Sequence, residues 1–436
     1  MSLKKEPNFI SITPLLIFVA IFLGGGIYFN DFYSLPTPLM ALAGVIAALL
    51  IYRASFTLKV NIFFKGAGNN NVLAMCVIML FAGAFAAVAK ASGSVDSIVN
   101  MGMYYISPIY FPAEIFVIAS FLSFSTGTSV GTITTLAPIA IHLAEQSGVN
   151  ISLIGACLLS GAMFGDNLSL ISDTTIAATQ TMGCKMNEKM KANARIALPA
   201  AVLAVVILLL IGNTQVAEST NQVVRSDFNV VLILPYVAVV MLALFGVNVF
   251  VSLFTGVVFS GIIGIIYGKF DFLGLTNHTY NGFSQMSDIF FLFFFTGGLA
   301  SLVEQFGGIQ FLMNLIRKHI HSAKRALLGI GVLVSVANLC VANNTVSILI
   351  VSRICKKIAN QFRLPAREAA SVLDIFSCYV QGLIPYGAQV IALIGFSKNT
   401  ISYPEMVLYA VYLHLLLLAT LIYIFFRKRK NQEELV

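Results

Sequence analysis

The stretch GDNLSLISDTT, Gly165–Thr175, places two aspartates inside a long apolar segment that is otherwise almost uncharged. The segment runs from about residue 151 to 182, which is long enough to cross a membrane. A carboxylate at membrane depth is costly, so Asp166 and Asp173 indicate a site for an ion, a proton or a buried partner. The glycine and serines around them predict a broken helix that exposes backbone carbonyls. The alternative is that both aspartates only cap a half-helix.

The composition predicts a polytopic membrane protein. The chain has 436 residues, of which 58% are hydrophobic and 10% charged, whereas soluble domains carry about 25% charged residues. The six cysteines and five histidines show no metal-type spacing, and the sequence has no phosphate-binding glycine loop. We therefore expect no resident cofactor, no ATP-driven pump and no nucleic-acid partner, but contacts with membrane lipid and with a small ion or solute.

Two apolar segments are interrupted by polar residues. Segments 112–144 and 326–352 are broken at Thr126–Ser129 and at Asn343–Thr345, which leaves arms of about 15 residues that are too short to cross a membrane alone. We expect re-entrant hairpins whose tips are covered by protein, and interfacial connectors at 94–107 and 309–323. The remaining apolar runs predict ten spans, at 9–29, 36–52, 71–89, 151–182, 195–213, 228–246, 248–267, 287–303, 369–397 and 404–426.

The second half of the chain repeats the order of the first. Phe81–Gly83 matches Phe295–Gly297 at a shift of 214, and Thr126–Ser129 falls opposite Ala342–Thr345 at a shift of 216. Five spans in each half is an odd number, so the halves 1–213 and 228–436 must be inverted. The predicted fold is an all-α polytopic membrane protein of two inverted repeats, each with five spans and one re-entrant hairpin.

The basic residues give an independent orientation. If Lys4 is cytoplasmic, so is Lys430, while His142 faces outward. All but four of the 26 Lys and Arg residues then lie on the cytoplasmic side; the exceptions are Lys90, Arg225, Lys269 and Lys398. This bias predicts cytoplasmic termini, and it explains the net charge of +8 as a signal of topology.

The first candidate site joins the tip of the first hairpin to the first broken span. Its members are Thr126, Gly127, Thr128, Ser129, Asp166, Asn167, Ser169 and Asp173. Their hydroxyl, amide, carbonyl and carboxylate oxygens suit Na⁺, because hard cations take oxygen ligands. A carboxylate in this place can also bind a proton when Na⁺ leaves. The alternative for the tip is a turn that only satisfies its own backbone.

The second candidate site lies in the repeat partner of the first. Its members are Asn343, Asn344, Thr345, Asp374, Ser377 and Gln381. Asp374 falls opposite Ser160 at a shift of 214, so the two sites differ chemically. The alternative for Asp374 is a buried structural acceptor.

Two strings carry a resemblance to a known family. Gly161–Asp166, followed by Ser169–Thr175, resembles the signature of the NhaC family of sodium/proton antiporters, within the ion transporter superfamily. Thr126–Ser129 is similar to the family's hairpin motif, and Asn343–Thr345 resembles the sodium-binding tips of the superfamily. Leu170 departs from the family, which often has proline there. The short chain resembles a compact branch, some of whose members are associated with amino-acid uptake.

The resemblance implies an elevator-like transporter in the bacterial inner membrane, with a scaffold that forms a homodimer. The leading hypothesis is Na⁺/H⁺ antiport, in which both ions compete for Asp166 and Asp173. The alternative is a Na⁺- or H⁺-coupled transporter of an amino acid or small carboxylate, with the second site holding the solute and Asp374 meeting an amino group. A channel is disfavoured by the paired hairpins, and an enzyme by the lack of a nucleophile–base constellation.

Overall fold

The all-α prediction is confirmed. The computed structural model describes residues 8–29, 35–218, 227–317 and 320–426, and these ranges form helices with no strand. Lys4, Arg225 and Lys430, which entered the topology argument, lie outside the described residues.

Ten α-helices and two short 3-10 helices form in the described part of the first half. Most are rich in Leu, Ile, Val, Phe and Ala, and many begin at a Ser, Thr or Asn cap whose side chain accepts a backbone N–H. The α-helices are α1 (Thr13–Phe29), α2 (Thr37–Ile51), α3 (Phe56–Ala67), α4 (Asn70–Ala91), α5 (Ser94–Tyr105), α6 (Phe111–Thr126), α7 (Ser129–Ser147), α8 (Ile151–Leu168), α9 (Asp173–Met182) and α10 (Met186–Glu218).

The second half repeats this order and divides its last apolar run at Ala410. Its helices are α11 (Val230–Leu244), α12 (Val249–Ile266), α13 (Phe272–Gln285), α14 (Ser287–Gln305), α15 (Gly308–Arg317), α16 (Ala323–Val341), α17 (Asn344–Gln361), α18 (Ala366–Leu383), α19 (Ala388–Phe396), α20 (Tyr403–Tyr409) and α21 (Val411–Phe426).

A helix or helix pair occupies each of the ten predicted spans. Within the described residues, eight helices are long and apolar enough to cross a membrane, or nine if the bent pair α20–α21 is one span. The predicted spans 9–29, 36–52 and 228–246 hold shorter apolar helices of 15 to 17 residues. Two of the eight are the hairpin arms, so the other six, the bent pair and the three shorter helices occupy the ten predicted spans.

The hairpin arms are longer than expected. The first arm covers Pro108–Thr126 and its partner in the second half covers Ala323–Val341, each with 19 residues. Both begin before their predicted starts at residues 112 and 326, because Pro108 and Ser322 supply earlier helix starts. The tip at Gly127 nevertheless packs against Ile171 and Ser172, inside the broken span α8–α9. The tip therefore ends within the helix bundle, as a re-entrant hairpin requires.

The sequence did not reveal α3 and α13, two short helices that occupy equivalent places in the two halves. Each packs on the third span of the opposite half, α3 on α14 and α13 on α4. A Cβ atom added to Gly83 would lie 2.4 Å from the Gly282 carbonyl oxygen, and one added to Gly66 would lie 2.5 Å from the Gly297 carbonyl oxygen. The backbones meet closely at both crossings, and small residues make this possible.

The helices form two groups by their packing. In the first group α1–α4 and α11–α14 pack on one another, and α5 and α15 fall in the predicted connectors. The second group contains the hairpins and the broken spans, in which α6 packs on α8 and α16 on α18. Within the second group the two halves of the chain contact each other, because α17 packs on α9 and α19 packs on α7. The tips and breaks of both halves therefore meet in the second group.

The charge bias predicts that position 398 faces outward and position 357 faces the cytoplasm. Lys398 and Lys357 are both exposed, so each accepts a cysteine without a packing cost. In intact cells a membrane-impermeant maleimide should label Lys398→Cys and leave Lys357→Cys unlabelled. Cys184 is the cysteine that is not buried, so it is replaced by alanine in both variants. Labelling at 357 with none at 398 would reverse the orientation.

Candidate ion-binding site

The first broken span positions Asp166 in the last turn of α8. Gly165 lets α6 approach closely, since a Cβ there would lie 2.4 Å from both the Ser120 carbonyl oxygen and the Phe124 nitrogen. The helix ends at Leu168, and α9 restarts at Asp173 after an extended Ser172. The break therefore leaves Asp166 opposite the tip of the first hairpin.

The Asp166 carboxylate is buried, with 4% of the residue exposed. The Ser129 hydroxyl donates to Oδ2 at 2.7 Å, and the Ser129 backbone N–H lies 3.4 Å from the same oxygen. The Ser172 hydroxyl donates to Oδ1. Asp166 forms no ion pair with any Lys, Arg or His of the described chain. The protein thus solvates this charge with dipoles and supplies no counter-charge.

A chain of amides links Asp166 to the second half. The Gln389 amide donates to the Ser129 hydroxyl at 3.0 Å, and the Gln381 amide donates to the Gln389 carbonyl oxygen at 2.8 Å. Gln381 also donates to the Ala342 carbonyl oxygen at 3.1 Å, while its own Oε1 has no partner among the described residues. An unpaired buried carbonyl oxygen is costly, so Gln381 has spare capacity to bind a cation or a donor group.

The two predicted sites share one cavity of about 160 Å³, which we call the inner cavity. It brings together nine predicted residues: Gly127, Thr128, Ser129, Asp166, Asp173, Asn343, Asn344, Thr345 and Gln381. Asp173 is exposed and Asp166 is buried, so Asp173 lies nearer the mouth. Five predicted residues do not line it: Thr126, Asn167, Ser169, Asp374 and Ser377.

The sequence reasoning missed several lining residues. Ser172 and Thr174 stand within the quoted stretch and could have been included for their hydroxyls. Gln389 is a neutral amide in an apolar helix, so the sequence pattern gives little reason to select it as a site residue. Asn71, Ala74, Met75 and Ile78 come from α4, and no local pattern links them to the site. The inner cavity therefore lies between α4 of the first helix group and the tips and breaks of the second.

Near the site, equivalent residues of the two halves are 215 positions apart in the sequence. Thr128 and Asn343 are the equivalent caps of α7 and α17, and α8 and α18 begin at residues 151 and 366. This differs by one residue from the shifts of 214 and 216 that the sequence suggested, and Ser160 is not the counterpart of Asp374. Gln381 is the counterpart of Asp166, so an amide in the second half replaces the carboxylate of the first.

Asp374 lies in a separate buried cluster with Lys189. The Lys189 ammonium is 2.5 Å from Asp374 Oδ2, and both side chains are almost fully buried. The Asn167 and Asn193 amides donate to the same oxygen at 2.9 and 3.1 Å. Lys189 also donates to the Asn167 carbonyl oxygen at 2.8 Å and to the Thr175 hydroxyl at 2.7 Å. These contacts tie both halves of the first broken span to α10 and α18.

The place of Lys189 in a basic segment predicts a cytoplasmic surface charge, whereas the structure buries this side chain. Lys189 is buried next to Asp374 and forms an ion pair with it, so the Asp374 carboxylate already has a cation as its partner. Within the described residues, the two buried aspartates of the helix bundle therefore differ in kind. Asp374 with Lys189 holds the break in place, and Asp166 faces a cavity without a counter-ion.

Removing one partner of the Lys189–Asp374 pair should destabilise the fold. Lys189→Ala leaves a buried unpaired carboxylate, which costs about 3–5 kcal/mol. We expect a lower thermal unfolding midpoint for the purified protein in detergent, with Lys191→Ala as control because Lys191 is exposed on the same helix. The double variant Lys189→Met, Asp374→Asn removes both charges and should recover most of the midpoint. A midpoint for Lys189→Ala equal to that of the control would mean that the pair is not structural.

Comparisons with known proteins agree with this architecture. A model of the Na⁺/H⁺ antiporter family matches residues 8–213 and matches again over 213–428. Since one model matches each half, the internal repeat is supported independently. The relatives reported below are transporters, and their names describe no enzyme.

Two curated relatives and one solved structure are similar to the chain. The malate-2H⁺/Na⁺-lactate antiporter of Bacillus subtilis is 24% identical and covers 92% of each chain. The Na⁺/H⁺ antiporter NhaC of Alkalihalophilus pseudofirmus is 24% identical and covers 71% of this chain and 73% of the relative. The YdaH transporter of Alcanivorax borkumensis aligns with a TM-score of 0.44 at 14% identity, covering 94% of this chain and 97% of its own.

Proposed function

Since this chain belongs to the Na⁺/H⁺ antiporter family, we propose that Na⁺ and H⁺ compete for the Asp166 carboxylate. One observation carries the proposal. Asp166 is buried, accepts hydrogen bonds from Ser129 and Ser172, lines the inner cavity and has no protein cation. A buried charge without a partner is costly, so this carboxylate favours a bound cation or a proton.

Competition at one carboxylate is sufficient to couple the two ions. When Na⁺ leaves, the bare carboxylate would remain charged inside the bundle, which is the least favourable state. A proton removes that charge, and the returning Na⁺ displaces the proton. The empty charged form is therefore rarely populated, and this limits uncoupled movement of either ion.

The remaining lining residues offer oxygen ligands for Na⁺. The hydroxyls of Ser129 and Ser172, together with the unpaired Gln381 Oε1, are of the hard type that Na⁺ prefers. Asp173 stands near the mouth, where it attracts cations without being desolvated. Asn167 and Ser169 lie behind the cavity, and there they support the break.

The position of the inner cavity suits alternating access. Its lining comes from α4 on one side and from both hairpin tips and both breaks on the other. Movement of the second helix group along α4 would expose Asp166 to one face of the membrane and then to the other. We place the protein in the bacterial inner membrane with cytoplasmic termini, and we place the dimer contact on the first helix group.

Transport assays test the role of Asp166 directly. In proteoliposomes with an imposed Na⁺ gradient and an internal pH dye, Asp166→Asn should reduce exchange to the rate of protein-free vesicles. Asp173→Asn should retain exchange with a weaker apparent Na⁺ affinity, because an exposed charge contributes about 1 kcal/mol, or roughly fivefold. Lowering the pH should weaken the apparent Na⁺ affinity of the wild type, since protons compete for the same oxygens.

Glu405→Gln serves as the matched control, because Glu405 is an exposed carboxylate outside the cavity. It should exchange at the wild-type rate. Circular dichroism and gel filtration confirm that each variant is folded. Wild-type exchange in a folded Asp166→Asn variant would show that Asp166 is a structural acceptor only.

A second function, coupled transport of a small carboxylate, is favoured by a separate observation. The helices α7, α9 and α17 begin at the inner cavity, and α19 contributes Gln389 from its second residue. Helix N-termini favour anions, so four of them around one cavity suit a carboxylate next to the Na⁺ site. The relative from Bacillus subtilis is named for malate and lactate. Asp374 is occupied by Lys189, so an amino group has no partner there.

Asn344→Asp distinguishes the two functions. Asn344 is 8% exposed and lines the cavity at the first residue of α17, so a carboxylate there would repel an anion. If the protein transports a small carboxylate, Na⁺-driven proton movement should require lactate or malate. The Asn344→Asp variant should then show no such proton movement even when the acid is present. If the protein exchanges Na⁺ and H⁺ alone, neither acid should change the rate and the variant should remain active.

A further inference from the structure

A second cavity, which we call the outer cavity, lies between α4, α5, α7, α13 and the end of α19. It has a volume of about 380 Å³. Four side chains with basic nitrogens line it, two lysines and two histidines, and two amides add further donors. These residues are Lys90, His142, His278, Lys398, Asn281 and Gln285.

The two lysines of the outer cavity have no carboxylate of the described residues bonded to them. Glu145 also lines the cavity, and one imidazole engages two carboxylates, because His142 contacts Asp96 at 2.8 Å and Glu145 at 3.3 Å. Lys90 and Lys398 form no ion pair or side-chain hydrogen bond with any described residue. Two ammonium groups in one cavity therefore lack a carboxylate partner.

The sequence pattern makes these lysines unusual. Lys90 and Lys398 are two of the four basic residues that fall outside the cytoplasmic segments. The positive-inside bias works against lysine on that side, yet two of the four exceptions meet in this cavity. Ammonium groups that face a shared cavity concentrate anions and hold them by charge-assisted hydrogen bonds.

The outer and inner cavities lie along the same helices. On α4 the inner cavity reaches Ile78 and the outer cavity begins at Gly83, a separation of about 8 Å. On α7 the corresponding residues are Val130 and Pro138, about 12 Å apart. The outer cavity therefore lies further along α4 and α7 from the inner cavity, on the side of Lys398.

We propose that the outer cavity binds a small organic anion with one or two carboxylates, held by the ammonium groups of Lys90 and Lys398. The proposal deepens the carboxylate function above and rests on it for the route that the anion follows. The larger outer cavity would collect the anion, and the inner cavity, with about 160 Å³, would admit only small ones.

Equilibrium binding tests the proposal without transport. Malate and lactate are titrated into the full-length protein in lipid nanodiscs, with heat as the readout. The double variant Lys90→Gln, Lys398→Gln should bind malate at least tenfold more weakly than the wild type. The double variant Lys90→Arg, Lys398→Arg keeps both charges and should bind within about threefold of the wild type. Because the lysines are exposed, all variants should fold.

Lys269→Gln is the matched control, since Lys269 is an exposed lysine of the same side outside the cavity. It should bind malate like the wild type. The titration measures malate binding and not ion exchange, so failure of the antiport proposal would leave this result unchanged. Undiminished binding in the double glutamine variant, an equal loss in Lys269→Gln, or a wild type that binds neither acid would each overturn the proposal.

Discussion

The cost of holding a carboxylate inside an apolar helix bundle governs this structure. Two buried aspartates meet that cost in different ways. Asp374 has the Lys189 ammonium at 2.5 Å and two asparagine amides, so its charge is neutralised locally. Asp166 has two serine side chains and one backbone N–H, which solvate the charge but leave it uncompensated. The first arrangement needs no further partner, whereas in the second we propose that a mobile ion neutralises the charge.

The two arrangements depend on each other through the break between α8 and α9. Lys189 donates to the carbonyl of Asn167 and to the hydroxyl of Thr175, one on each side of the break. The break in turn places Ser172 against Asp166. A fixed ion pair thus holds the geometry of the proposed ion site one residue away. The same backbone in the second half carries Gln381 in place of Asp166, so the repeat supplies a symmetric frame around a single carboxylate.

The sequence predicted the parts of this site that are chemically out of place in a membrane. Asp166 stands out because ionisable residues are rare in apolar runs. The tips and breaks stand out because polar residues interrupt those runs, and all of these features lie close together in the structure. The Lys189–Asp374 pair was not predicted, because a lysine after a span resembles a topology signal. Gln389 and the residues of α4 that line the cavity have no sequence feature that would mark them as part of the site. The short helices α3 and α13 were missed since their polar residues hide them from a search for apolar runs.

The register of the repeat shows why matching residue types is not enough to align the two halves of the chain. Gly127 and Ala342 both adopt left-handed backbone conformations, at φ of 69° and 49°, and both precede a capping residue. Their side chains differ, as do those of Ser129 and Asn344, so matching by residue type slipped by one position. Backbone geometry is conserved between the halves, whereas the side chains have diverged. That divergence leaves a symmetric scaffold with a single buried carboxylate among the described residues of the inner cavity, and this is the asymmetry that the proposed exchange of Na⁺ and H⁺ requires.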